Sequence, residues 1–126
     1  VRNGSYGYAV YCGEGMPDKK MPFTVLRNDT LVQAVASTDS KIIAASFYST
    51  GENIVIGKKE ISVSEPCALL IEQDEEGITF SVTDARMEET VKQIVINYGR
   101  QKVVVDMPQK EKTGATVVCR KTMELL

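Results

Sequence analysis

Histidine is absent from this 126-residue chain. With it go the commonest general base near neutral pH, the commonest nitrogen ligand for metals, and every Ser/His/Asp or Cys/His arrangement. Tryptophan is absent too, so the largest aromatic platform for stacking on sugars is missing. Neither sign of charge is in excess: 15 Lys and Arg against 17 Asp and Glu leave a net charge of -2, and the whole-molecule field does not favour polyanions. Basic pairs occur at Lys19-Lys20, Lys58-Lys59, Lys110 with Lys112, and Arg120-Lys121. Each sits beside turn-like residues and is interrupted by acids, the pattern of a solvated loop. A basic stripe interleaved with aromatics is missing, and no nucleic-acid partner is expected. No apolar run approaches the roughly 20 residues of a membrane-spanning helix. The glycines are dispersed, with neither G-x-x-x-x-G-K-S/T nor a G-x-G-x-x-G leading from strand to helix, so no nucleotide cofactor is expected.

Cysteine is scarce. Cys12, Cys67 and Cys119 are odd in number and lack the C-x-x-C spacing of a zinc or redox site. At most one bridge could form, and all three are expected to be small buried hydrophobes in strands. The chain starts at Val1 without an initiator methionine and shows no signal-peptide pattern, so it is expected to be a trimmed product or an excised domain.

What remains is ordinary globular material. The length suits one domain, which can bury about two-thirds of its unfolded surface and needs no metal or disulfide to fold. Hydrophobicity alternates with period two almost throughout, punctuated by turn residues about every ten positions, which predicts an all-β, antiparallel two-sheet β-sandwich. Expected strands begin with Tyr6 to Tyr11, followed by Phe23 to Val25, a break at Asn28-Asp29, and Leu31 to Ala36. Ile42 to Tyr48, Ile54 to Ile56, Ile61 to Val63, Cys67 to Ile71 and Ile78 to Val82 come next. Val91 to Asn97 is expected to pair with Val103 to Met107, and Ala115 to Cys119 is the last strand. Glycine is expected at positive φ in the turns containing Gly51 and Gly77, and Asn97 to Arg100 suits a hairpin loop of three or four residues. Between Thr83 and Ile96 a helical face competes with β-branched residues; a loop or single turn over Ala85 to Thr90, then a strand, is the expected outcome.

Chemistry is harder to find. Asp74-Glu75-Glu76 and Glu88-Glu89 are acidic clusters without calcium-loop spacing. Carboxylate pairs for glycoside hydrolysis carry no signal among so many acids. Tyr6, Tyr8 and Tyr11 could stack on sugars, but their alternation within one strand more simply predicts packed rings with exposed hydroxyls. No catalytic, cofactor-binding or metal-ligating residue is assigned.

The order of segments says more than any single motif. "SYGYAVYCGEG", "PFTVLRNDTLVQAV", "KIIAASFYSTGENIVIG", "SEPCALLIEQDEEGITFSVTDARM", then "VINYG" with "KVVVDM" resembles the C-terminal end of the polysaccharide lyases that include hyaluronate and chondroitin AC and ABC lyases. The family's Y-x-Y strand is matched by Tyr6 and Tyr8. Its "V-L-x-N-x-x-x-x-Q-A-V" segment is matched by Val25, Leu26, Asn28, Gln33, Ala34 and Val35. Ala45 to Tyr48, Pro66, and Ser81 to Asp84 continue the likeness. Ala85 and Cys12-Gly13 stand where the family usually has proline, and the "PFTVLRND" opening is nearer the chondroitin ABC type.

The resemblance implies a division into residues 1–21, the end of the preceding central β domain and a linker, and residues 22–126, a C-terminal β-sandwich. It implies a parent enzyme, secreted or periplasmic, that degrades chondroitin sulfate or hyaluronan by β-elimination. The catalytic asparagine, histidine, tyrosine and arginine of that family lie in an upstream helical toroid, so none carries over and this chain is expected to be structural or to shape a cleft rim. Its expected partner is the rest of the parent, with glycosaminoglycan contact expected at Lys58, Lys59, Arg100 and Lys102. The alternative is a free-standing carbohydrate-binding or adhesion module, whose binding through those cations would weaken steeply with salt. A third reading, a purely interaction-mediating sandwich, would be marked by an exposed apolar patch.

Overall fold

The computed structural model describes residues 8, 10, 12–15, 22–84, 86–88 and 90–122. They form ten strands: β1 (Phe23–Asn28), β2 (Val32–Ser37), β3 (Ile42–Phe47), β4 (Asn53–Ile56), β5 (Lys59–Val63), β6 (Cys67–Gln73), β7 (Gly77–Thr83), β8 (Gln93–Tyr98), β9 (Gln101–Asp106) and β10 (Val117–Thr122). A single 3-10 turn at Lys110–Lys112 is the only helical element among the described residues. All pairings are antiparallel, in a six-stranded sheet ordered β1-β2-β3-β6-β7-β10 and a four-stranded sheet ordered β4-β5-β8-β9. This is the antiparallel β-sandwich that the alternation predicts.

The period-two pattern works because each inward side chain meets the other sheet. Ile43, Leu69, Ile71, Ile78, Phe80 and Val82 face inward from the larger sheet, and Ile54, Ile61, Ile94, Ile96, Val103 and Val105 from the smaller. Each such side chain stabilises the fold by about 1.5–3 kcal/mol through burial. Across this core the Phe80 and Tyr98 rings meet edge to face, with centroids 5.4 Å apart and planes at 87°, a favoured geometry because the positive edge of one ring approaches the negative face of the other.

Several expectations are corrected. The strand over Tyr6 to Tyr11 falls largely outside the described residues; Tyr8 and Val10, which are described, are not in a strand, and Tyr8 is exposed rather than packed. Cys67 and Cys119 do lie in strands, buried and half-buried, but Cys12 is exposed, and all three are free thiols. β10 runs on to Thr122, past the expected end at Cys119, because Arg120 points off the core and still finds partners. The strand expected from Val91 begins at Gln93. The hairpin between β8 and β9 needs only Gly99 and Arg100: Tyr98 pairs with Gln101, and Gly99 at φ 62 supplies the turn.

Gly51 has positive φ as expected, but Gly77 does not. Gly77 opens β7 opposite Thr122, where a Cβ would collide with the backbone oxygen of Lys121 and lie 3.1 Å from its carbonyl carbon. Close approach of β10, rather than backbone conformation, explains that glycine.

Candidate functional site

The four cations singled out from sequence all fall on the smaller sheet. Lys58 is in the β4–β5 turn, Lys59 begins β5, Arg100 is in the β8–β9 turn, and Lys102 is in β9. Antiparallel register brings them to one end. Ile61 pairs with Tyr98, and Gly99 N–H donates to the Glu60 carbonyl at 2.9 Å, so the two turns are neighbours. Lys102 pairs with Asn97 and faces outward one step along β9. Lys59 is held in place: its Nζ lies 4.0 Å from the centroid of the Tyr98 ring, a cation–π contact, and its stem runs beside Gly99. Asn97 Nδ2 donates to Ser62 Oγ at 3.1 Å on the adjoining outer face. Glu60, exposed between the turns, is the acid within this cluster. The result is a cationic corner with one fixed and three solvent-facing side chains.

Three aspartates hold turns and loops of the fold. At the Asn28-Asp29 break, Asp29 Oδ1 accepts from the Leu31 and Val32 amides at 2.8 and 2.9 Å, closing the β1–β2 turn. Its Oδ2 accepts from Arg27 Nε at 2.6 Å. These bonds, the arginine's first, hold the Asp29 carboxyl down to about 2. A bulge between Val25 and Arg27 lets Leu26 pack on the core and aims Arg27 across the sandwich. There Arg27 donates to the Asn53 carbonyl at 3.0 Å and pairs with Glu52 at 2.9 Å, tying an edge strand of one sheet to an edge strand of the other.

Asp74 does the same at the β6–β7 turn. Its Oδ1 accepts from the Glu76 and Gly77 amides, and Arg120 Nη2 donates to both carboxylate oxygens at 2.8 and 3.0 Å. Arg120 also donates to Thr79 Oγ1. The guanidinium, then the turn amides, hold Asp74 at about 2. Asp84 is buried and accepts from the Arg86 and Glu88 amides, organising the loop after β7. Beside it, burial and then the Asp84 charge push the Cys67 thiol up to about 12.

Of the acidic clusters, Asp74 is therefore committed to Arg120, and Glu89 lies outside the described residues. Tyr6 and Tyr11 lie outside them as well. Among the described residues no three His, Cys, Asp or Glu side chains gather closely enough to hold a metal ion, and no helix is long and apolar enough to cross a membrane. Sequence reasoning missed both arginine clamps. The available signal was the spacing Arg27-x-Asp29 at a predicted turn; the partners of Arg120 are contributed from a distant hairpin and leave no local trace.

With this geometry in view, comparison with known proteins is informative. Residues 24–93, from β1 to the start of β8, match the family model of the polysaccharide lyase family 8 C-terminal beta-sandwich domain. A solved structure of chondroitinase AC lyase, from work on its active site through enzyme–oligosaccharide complexes and mutagenesis, is similar with a TM-score of 0.68 and 30% sequence identity. The match covers 77% of this chain and 15% of that one, so this chain spans a small part of that enzyme's length. No curated protein matches the chain.

Proposed function

The chain belongs to the C-terminal β-sandwich domains of polysaccharide lyase family 8, and from that premise we propose that it is the non-catalytic, structural end of a lyase acting on chondroitin sulfate or hyaluronan. β-Elimination at a uronic acid needs its carboxylate neutralised, the C5 proton removed and the leaving oxygen protonated. A pKa-matched base is required for the second step. The observation that carries the reading is the commitment of Asp29, Asp74 and Asp84 to backbone amides and arginines, in a chain without histidine. The reacting groups then belong to other parts of the parent polypeptide.

Residues 1–21 are, on this reading, the end of the preceding domain and a linker, and residues 22–126 the sandwich. Acting on an extracellular polymer, the parent works outside the cytoplasm, secreted or periplasmic. Lys58, Lys59, Arg100 and Lys102 form the rim that touches the glycosaminoglycan.

Two measurements test this. Incubated with chondroitin sulfate or hyaluronan, the 126-residue chain should release no unsaturated uronate by ultraviolet absorbance, whereas the full-length parent should. Turnover by the chain alone would sink the structural role. Retention of the parent on a sulfated polymer should weaken in Lys58→Ala and Arg100→Ala and fall with salt; retention indifferent to both removes the rim assignment.

A further inference from the structure

The outward face of the six-stranded sheet has a composition that solvent does not explain. Register aligns Val25 with Val35, Val35 with Ala44, Ala44 with Leu70, Leu70 with Ser81 and Ser81 with Val118, one row across all six strands. The next row, Gln33, Ser46, Ala68 and Thr83, is small and neutral too. Neither row contains a charge. Val25 is 52% and Val118 64% exposed, and between them the face forms an open groove of about 1250 Å³ with Tyr8 on its wall. Beyond these rows charge appears with Glu72 and Arg120, and at the β1–β2 end of the groove Arg27 and Asp29 line the wall, paired with each other. The outer face of the smaller sheet differs: there Lys102 and Asp106 project from β9, and Asp106 accepts a hydrogen bond from Gln93.

We propose that this neutral face is the surface on which the preceding domain of the same lyase polypeptide docks. The inference rests on the family assignment. A C-terminal domain that spans 15% of a related enzyme's chain has nearly all of its potential intramolecular partner upstream. Tyr8, the first described residue, reaches the groove wall from that upstream side. Exposed apolar patches rimmed by polar residues mark interaction sites, and interfaces deplete charge at their centres while leaving it at the rim. A polyanionic glycan is a poor occupant, because neither row offers a cation and Arg27, at the β1–β2 end of the groove, is already paired with Asp29 and Glu52. A neighbouring protein surface buries these side chains without leaving a charge unpaired.

The experiment uses the full-length lyase. Hydroxyl-radical footprinting of the unmodified enzyme should protect Val25, Val35 and Leu70 while Val55 and Val104, exposed on the other sheet, react. Ala44→Glu, at the centre of the row, should raise the rate at which protease releases the C-terminal domain by roughly tenfold or more, since cleavage tracks the opened population. Val104→Glu, an equivalent charge on the opposite face, should not. Equal labelling of both faces overturns the proposal, and so does release unaffected by Ala44→Glu. So does an Ala44→Glu enzyme that changes from dimer to monomer without faster release, which would make a second copy the occupant. Lyase turnover is scored separately: an inactive parent removes the functional reading and leaves the footprint to decide docking.

Discussion

Replacing Gly77 with alanine should destabilise the sandwich, although the same change in an unobstructed extended strand does the opposite. Gly77 has no positive φ, so alanine fits its backbone and, by restricting the unfolded chain, would alone stabilise by about 0.4–1 kcal/mol. The added methyl, however, meets the carbonyl of Lys121 and approaches the Thr122 Cα at 3.3 Å. Both are backbone atoms, so no rotamer change relieves the contact, and β10 must move. Forced overpacking of this kind costs about 1–3 kcal/mol, and subtracting the entropic gain leaves a net loss of roughly 1–2 kcal/mol. For a chain of this length a loss of that size lowers Tm by about 3–10 °C. Calorimetry measures the loss, and hydrogen exchange locates it: amides at 117–122 should lose protection before those of β3 and β6. A Tm raised by Gly77→Ala would refute the close approach of β10 and the reason given for the glycine.

Acid should weaken the fold in a defined window. Asp29 and Asp74 are held at about 2 against an ordinary 3.8, so their contribution is present above about 4 and is lost as pH falls toward 2. Urea midpoints measured from neutral pH downward should drop there, and Asp74→Asn should reduce the drop; a midpoint flat between pH 4 and 2 contradicts the clamps. With its thiol pushed up to about 12 and its side chain buried, Cys67 should resist alkylation at neutral pH in the folded protein, while exposed Cys12 is modified. Equal labelling of the two would show that the site near Asp84 is open.

Nearly all the strands could be read from alternation, because burial on one face imposes period two wherever the chain crosses the core. The reading stopped short where strand residues happened to be charged. Lys59 and Arg120 both belong to strands, but their reason for being there is a ring and a carboxylate contributed by other hairpins. Gly77 was misread for the same cause: a glycine after three acids looks like a turn, and only the pairing of β7 with β10 shows what its missing side chain makes room for. The cationic corner was legible as a list of residues, while its assembly depended on the register between β5 and β8. The neutral rows of the larger sheet were hidden in the sequence, since each strand contributes only a single residue to a row.

The order in which the chain visits the two sheets also bears on how it becomes a structure at all. After β3 it crosses to the smaller sheet, returns for β6 and β7, crosses again for β8 and β9, and comes back for β10. Neither sheet is built from consecutive strands alone, so loop-closure entropy is spent on distant pairings before burial repays it, which favours slow folding in the millisecond-to-second range. During synthesis the consequence is sharper. β10 completes the edge laid down by β7, so a nascent chain leaves that edge unpaired until residues 117–122 clear the ribosome, and a protein truncated before them displays an open strand edge to its neighbours.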